Sequence, residues 1–436
     1  MADQIRVILP KKYDLVVGDT FQLFYRGVVE APNPYVYSIV SICEKGRNFP
    51  RYFEYAPTEP GQHKLTIKVY DAQRNLLGEA ETVLNVVVPK EPKNTTNILC
   101  VGDSLTGGGW CHEAYRRITQ EGGEPAGLGF KDAVKFVGSC RNEKKYPGIA
   151  AEGRSGYDWN AFLSNNPNEV QVECPNSRDF ADLNSLWQDA NGAIWELIYL
   201  KIDFLKFRPY QGHSSTMPDR GQLIHYSGAR DTSPIVYTST VVSTYGTPFK
   251  NPETKKIDIA DYCKRNAIDR IDVVYFFLGT NGLMSAVANT STREEYCRFV
   301  ISLGKELVGY FKEAFPDIKV KIMGIPLWSV NGGIGQSYGA ILPLTDRYEL
   351  TYYKMQLNKT YQEWCLEEEY KDFMEFINIS GQFDSEYNFP SMEVPVNTRS
   401  TITERRDSNP CHPSPDGYKQ IGDAVYRNIV ASFCSE

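Results

Sequence analysis

A serine and a histidine are where this sequence can do chemistry. Ser104 stands in Gly102-Asp103-Ser104-Leu105, directly after the apolar run 98–101 and shortly before three consecutive glycines, 107–109. A serine just past a strand exposes its hydroxyl, and the turn into a following helix leaves its N–H unpaired. Such a residue can be both a nucleophile and an oxyanion donor. Taken alone, the tetrapeptide reads equally well as a solvated turn or a helix cap. Acyl transfer to serine also needs a base within hydrogen-bond reach and further donors aimed at the developing negative charge. His412, in Asn409-Pro410-Cys411-His412-Pro413, is the candidate base, or else a buried structural histidine. Gly153 and Asn281 read most plainly as a turn glycine and a strand-end cap.

For these groups to meet, the chain must bring distant strand ends together, and the pattern beyond residue 93 suits that task. Near-continuously apolar runs at 98–101, 134–137, 272–278, 318–325 and 373–379 predict buried parallel strands. Helical spacing separates them. Ser291-Thr-Arg-Glu294 is a capping-box pattern ahead of Tyr296, Phe299, Leu303, Leu307 and Tyr310; a further helix is predicted over 349–369, and the last opens at Ser414-Pro415-Asp416. This alternation predicts an α/β fold whose parallel sheet is covered on both faces and binds ligands beyond the carboxyl ends of its strands. Ser104 lies just past one such end.

Residues 1–92 follow a different pattern. Short runs at 5–9, 14–28, 35–43, 63–70 and 79–88, rich in Val, Ile, Tyr, Phe and Thr and with a hairpin turn at 71–75, predict an all-β sandwich of immunoglobulin-like type. The polar, proline-containing stretch 89–97 predicts a linker, with a boundary near residue 93. Residues 160–260 are aromatic and rich in Pro and Gly, with β-like runs such as 233–244 but no βα rhythm. They predict an insertion with structure of its own.

Composition excludes several classes of function. The 436 residues carry 47 Lys and Arg against 54 Asp and Glu, a net charge of -7, with no basic cluster, so no nucleic acid partner is expected. No run approaches about eighteen apolar residues, which predicts no membrane span. The opening Met1-Ala-Asp-Gln-Ile-Arg lacks the basic-then-apolar build of a signal peptide. Ten cysteines without a C-x-x-C spacing fit neither a zinc site nor a disulfide scaffold, and are expected to be mostly reduced and buried. Cys411 adjoins His412, but adjacent residues rarely point the same way, so thiol chemistry is not favoured. No metal and no cofactor are expected.

In order along residues 98–433, four blocks resemble the SGNH (GDSL) hydrolase family. They are 98–105 around Ser104; Glu152-Gly-Arg-Ser-Gly-Tyr-Asp-Trp159; Val274-Tyr-Phe-Phe-Leu-Gly-Thr-Asn281; and Asn409-Pro-Cys-His-Pro413 followed by Gly417-Tyr418. The resemblance implies a flavodoxin-like three-layer α/β/α hydrolase domain over 93–436, with the insertion at 160–260, behind the smaller sandwich of 1–92. It also implies Ser104 as nucleophile, His412 as base, and an oxyanion hole of the Ser104 and Gly153 N–H groups and the Asn281 amide. The implied activity is that of a serine esterase acting on acyl, above all acetyl, esters. Trp159 and the aromatic insertion favour an acylated glycan, since aromatic faces suit pyranose stacking; the same aromatics could equally be core.

Two departures from the family pattern stand out. The family usually places Asp three residues before the histidine, where this sequence has Asn409, with Asp407 two residues further back. An Asn carbonyl can accept the Nδ1–H and hold the tautomer, but it offers no charge to stabilise the imidazolium. Either residue could be the third member. Gly282 stands where an acidic residue is common. A rival expectation is therefore a weakly active or inactive protein that keeps the fold for binding, as part of a surface assembly or phage particle. An extracellular or virion-associated setting is favoured over the cytoplasm, and a homo-oligomer is compatible with either reading. Finally, Gly335-Gln-Ser337-Tyr-Gly339 matches the G-x-S-x-G elbow, which demands strand, sharp turn and helix; here about ten residues intervene and Pro343 interrupts.

Overall fold

Buried apolar strands dictate the centre of the molecule. The computed structural model describes residues 4–141, 146–163, 169–173, 185–189, 194–201, 204–209, 220–225, 235–245, 247–283, 292–330 and 347–435. Thr96–Gly102 pairs in parallel with Val273–Phe277 on one side and, on the other, with Val134–Val137 and then Ala150–Gly153. Lys319–Met323 and Met374–Ile377 continue the parallel sheet, and Cys140–Arg141 adds a short antiparallel edge. Every residue of Val273–Phe277 is buried, which is why that run shows no polar alternation. With Val134–Val137 second and Val273–Phe277 third, the parallel order is 2-1-3-4-5. The order reverses between the first and third strands, the point at which open α/β sheets leave a crevice.

Helices begin where local chemistry stops the chain from extending. Arg293–Ala314 opens with Thr292, whose hydroxyl accepts the Glu295 N–H while the Glu295 carboxylate accepts the Thr292 N–H. The capping box therefore lies one residue beyond the expected Ser291–Glu294 pair. Pro415–Phe433 opens with the Ser414 hydroxyl accepting the Gly417 N–H and with Pro415 at the first helical position. It packs against Trp110–Thr119, and Arg293–Ala314 packs against Arg347–Leu366.

The N-terminal residues form two sheets around one apolar core. Lys12–Val16, Leu76–Val87, Gly61–Tyr70 and Ser38–Ile42 make the first, and Phe21–Phe24, Tyr52–Tyr55 and Arg47–Asn48 the second. Leu15, Phe21, Leu23, Phe53, Leu65, Ile67 and Leu84 meet between them. Two expected strands differ. The run 14–28 breaks at Gly18 into two strands and a 3-10 turn, and the run 5–9 makes only an isolated bridge, Val7 to Val29.

Contacts cross the expected boundary near residue 93 in a buried polar layer. Met1–Trp159 and Cys263–Glu436 make one compact unit. Asp19 accepts from Arg117 at 3.0 Å and from Arg427 at 2.6 Å, and Asp14 accepts from Asn428 at 3.1 Å. Burial by itself would raise the Asp19 pKa, but Arg427 and Arg117 outweigh it and hold the carboxyl below its ordinary range. Because the folded value is the lower one, this stabilisation is complete above the unfolded value near about 3.9 and is lost as pH falls through the folded value. Asp19→Asn leaves the buried Arg427 guanidinium without a carboxylate and Arg117 with Asp423 alone, so it should cost about 3–5 kcal/mol of unfolding free energy by denaturant titration. A loss under about 1 kcal/mol would show that the layer is solvated.

Asn160–Tyr262 forms a second compact unit. Among the described residues its strands close into an antiparallel barrel in the order Glu169–Glu173, Phe204–Pro209, Ile194–Lys201, Ser185–Asp189, Arg220–His225 and Ile235–Tyr245. Closure leaves no free edge, which explains how an insertion without βα rhythm has structure of its own. Ser337 and Pro343 of the G-x-S-x-G stretch lie outside the described residues, as does Cys174. The other nine cysteines are free, and seven of them are buried. Among the described residues no helix is long and apolar enough to cross a membrane.

Candidate active site

Ser104 sits on the turn that leaves Thr96–Gly102, half-buried, with the Asp103 side chain accepting the Leu105 N–H at 2.8 Å beneath it. A 3-10 turn, Thr106–Gly108, precedes the helix Trp110–Thr119. Its Oγ lies 2.8 Å from His412 Nε2, and among the described residues this is its one hydrogen bond. The Ser104 N–H therefore stays available to a ligand. The glycines that follow admit two aromatic rings: a Cβ on Gly108 would lie 2.0 Å from the Tyr418 ring, and one on Gly109, at φ +110°, 2.5 Å from the Tyr146 hydroxyl.

His412 belongs to a tight turn built by Asn409. The Asn409 Oδ1 accepts the backbone N–H groups of Cys411 at 3.1 Å and His412 at 3.0 Å. This occupation fixes which end of the amide faces the ring: Nδ2 lies 3.4 Å from His412 Nδ1. The expected carbonyl acceptor is thus turned away, because the backbone claims it. An amide nitrogen only donates, so it favours the tautomer with Nδ1 bare and the proton on Nε2, facing Ser104. Asp407 does not supply the missing acceptor; among the described residues it is held by the Ser329 hydroxyl and by Arg405 at 3.1 Å.

Burial pushes the His412 imidazole below its ordinary value of 6.5. A base must be neutral to act, so the acid limb of kcat/KM for p-nitrophenyl acetate should have its midpoint below about 6.5. A midpoint above about 7 would reveal a carboxylate beside the ring.

The other predicted donors come to the same strand ends. Gly153 pairs with Gly102 at the end of Ala150–Gly153, and a Cβ there would lie 2.7 Å from Gly107 N, so only glycine permits the approach. Asn281, in the helical turn after Val273–Phe277, directs Nδ2 to Asp103 Oδ2 at 3.2 Å and to the Tyr157 carbonyl at 3.0 Å. Asp103 thus ties the serine turn to Asn281. Burial pushes its pKa up to about 7, with Asp158 adding to the rise and the Leu105 N–H and Lys354 opposing it. Lys354, also buried, donates to the Pro326 carbonyl at 2.7 Å and lies 4.4 Å over the Trp328 ring; burial lowers its pKa to about 8, against Cys411 and Asp103. Asp103 was readable in the Gly-Asp-Ser run, whereas nothing in the sequence around Lys354 marks it.

Trp159 is a correction. It is 1 % exposed, donates Nε1–H to the Tyr361 hydroxyl at 2.7 Å and packs against Phe276 and Trp364. No face is open to a sugar, because this aromatic fills the core beneath the sheet. Open aromatics lie elsewhere: a groove of about 830 Å³ runs past His112, Tyr146 and Tyr418, and a cavity of about 230 Å³ opens between Thr106, Gly107 and Gly153.

No family model and no curated protein matches the sequence. Among solved structures, the chain is similar to a Clostridium thermocellum family 3 carbohydrate esterase, with 15% identity over 78% of this chain and 100% of the other and a TM-score of 0.33. A peptidoglycan O-acetylesterase matches with 12% identity over 78% and 92% and a TM-score of 0.28. An acetyl xylan esterase from the rumen bacterium Butyrivibrio proteoclasticus matches with 9% identity over 98% and 95% and a TM-score of 0.26.

Proposed function

We propose that this chain is a serine esterase of the SGNH type that hydrolyses small acyl esters, acetyl above all, carried on a glycan. The observation that carries the reading is the 2.8 Å contact of Ser104 Oγ with His412 Nε2, formed at the carboxyl ends of a parallel sheet. In this reading Ser104 attacks the ester carbonyl, and His412, in the tautomer with Nε2 bare, takes the hydroxyl proton there and returns it to the leaving alcohol. The oxyanion is received by the Ser104 and Gly153 N–H groups. Asn281 joins them by releasing the Asp103 or Tyr157 oxygen it now holds. Water then repeats the sequence on the acyl-enzyme. The 2-1-3-4-5 order and the two helix pairs support a flavodoxin-like three-layer domain over 93–436, and the two N-terminal sheets support an immunoglobulin-like sandwich over 1–92.

The groove lined by Tyr146 and Tyr418 runs past Gly108 and Gly109, close in the chain to Ser104, and aromatic faces of this kind suit a pyranose. A fluorophosphonate probe, which modifies only an activated serine, tests the reading directly. Stoichiometric labelling at Ser104 with turnover of p-nitrophenyl acetate supports it; an unlabelled, inert chain sinks it. A second reading has its own observation. The Asn409 amide nitrogen at Nδ1 disfavours the tautomer that a base needs, which suits a protein that binds acylated glycans and turns them over slowly or not at all.

A further inference from the structure

The N-terminal sheets bear on the histidine through two arginines. Arg26, in the 3-10 turn Tyr25–Gly27, is 7% exposed and donates from one nitrogen to the Trp328 carbonyl at 2.9 Å and to Ser385 Oγ at 2.5 Å. The residue after Trp328 holds the histidine segment: Ser329 N–H donates to the Pro410 carbonyl at 3.1 Å, and its hydroxyl donates to Asp407. Arg51 grips a second wall, the segment 384–387 that Arg26 also reaches at Ser385, pairing with Asp384 at 2.5 Å and with Glu386, and lying 4.5 Å over the Tyr387 ring. That wall in turn receives the Ser408 N–H at the Pro390 carbonyl, 2.7 Å, and the Ser414 N–H at the Asn388 carbonyl, 2.9 Å. Residues 408–414 therefore rest between two walls, and an N-terminal arginine holds each. Among the described residues no charged group supports the His412 ring itself, so its placement depends on this frame.

We propose that the N-terminal β module is a positioning element for His412, acting through Arg26 and Arg51, rather than a spacer. The proposal rests on reading Ser104 and His412 as the reacting pair. An error near 1 Å in a reacting geometry costs about 10²-fold in rate. In the full chain, Arg26→Ala should lower kcat for p-nitrophenyl acetate about 10- to 100-fold with KM within about twofold, and millimolar methylguanidine should restore part of it. Arg51→Ala should act in the same direction, while Arg47→Ala, an exposed arginine of the same module, should leave kcat unchanged. A merely structural role would move stability without the kcat-only loss or the rescue. The His412 ring-nitrogen resonances, assigned by comparison with His412→Ala, give a readout independent of activity, and they should shift in Arg26→Ala.

Parental kcat and unshifted resonances in Arg26→Ala would overturn the proposal while leaving the esterase reading intact. An unaltered chain inert to fluorophosphonate would overturn the esterase reading, and the resonances would still decide the positioning role. If Arg26→Ala does not fold, Arg51→Ala carries the same test, since its guanidinium is partly exposed and its loss opens a smaller void.

Discussion

Replacing Ser104 with Ala will remove labelling by fluorophosphonate and reduce p-nitrophenyl acetate hydrolysis by about 10⁴-fold or more, to the level supported by the oxyanion donors alone. The effect is large because in the proposed mechanism Ser104 contributes the bond-forming oxygen, for which alanine has no substitute. Among the described residues its one hydrogen bond goes to His412, so the variant loses the hydroxyl while the Asp103 turn beneath keeps its contacts. Ser337→Ala should hydrolyse the ester at the parental rate. A labelled, active Ser104→Ala chain together with a dead Ser337→Ala chain would transfer the site to the G-x-S-x-G stretch and defeat the assignment made here.

Asn409→Asp should raise kcat by about 10²-fold or more, the second large effect. In the serine hydrolase triads an Asp-to-Asn exchange at the residue facing Nδ1 costs about 10⁴ because it selects the wrong tautomer, and here an amide, Asn409, faces His412 Nδ1. A carboxylate keeps one oxygen for the Cys411 and His412 N–H groups and turns the other to Nδ1, where it accepts a proton instead of donating one. The proton then leaves Nε2, which becomes free to take the serine proton. The same negative charge raises the His412 pKa, so the acid limb of the pH profile should move to higher pH in this variant. An unchanged or lower kcat would mean that another group already orients the ring. Asp407→Ala should act mainly on stability, since its buried carboxylate accepts from the Ser329 hydroxyl and pairs with Arg405.

The site was readable to different depths at different residues. Ser104, His412 and Gly153 follow from the residue types and from the strand ends that precede two of them, and the structure brings them to one edge of the sheet. Asn281 arrives there as well, but its amide already serves Asp103 and Tyr157. Tyr146 and Tyr418 could have been suspected from the glycines at 107–109, since three residues without side chains imply that something else fills the space. Lys354 could not, because a lysine within a helical pattern reads as a solvated position until its neighbours are known.

What the sequence determined by itself is what depends on near neighbours: the five apolar strands, the caps at Thr292 and Ser414 to within one residue, and the turn after Gly102. Hydrophobic periodicity and side-chain to backbone hydrogen bonds act over a few residues, so they leave a readable local trace. Tertiary structure alone decided which end of the Asn409 amide meets His412, that Trp159 is core, and that Arg26 supports a segment 302 residues away. Each of these turns on competition among groups distant in the chain for one buried donor, acceptor or void. Such a competition is settled only when the backbone has brought the rivals together, because an unsatisfied polar atom or an empty space costs free energy only once water has been excluded.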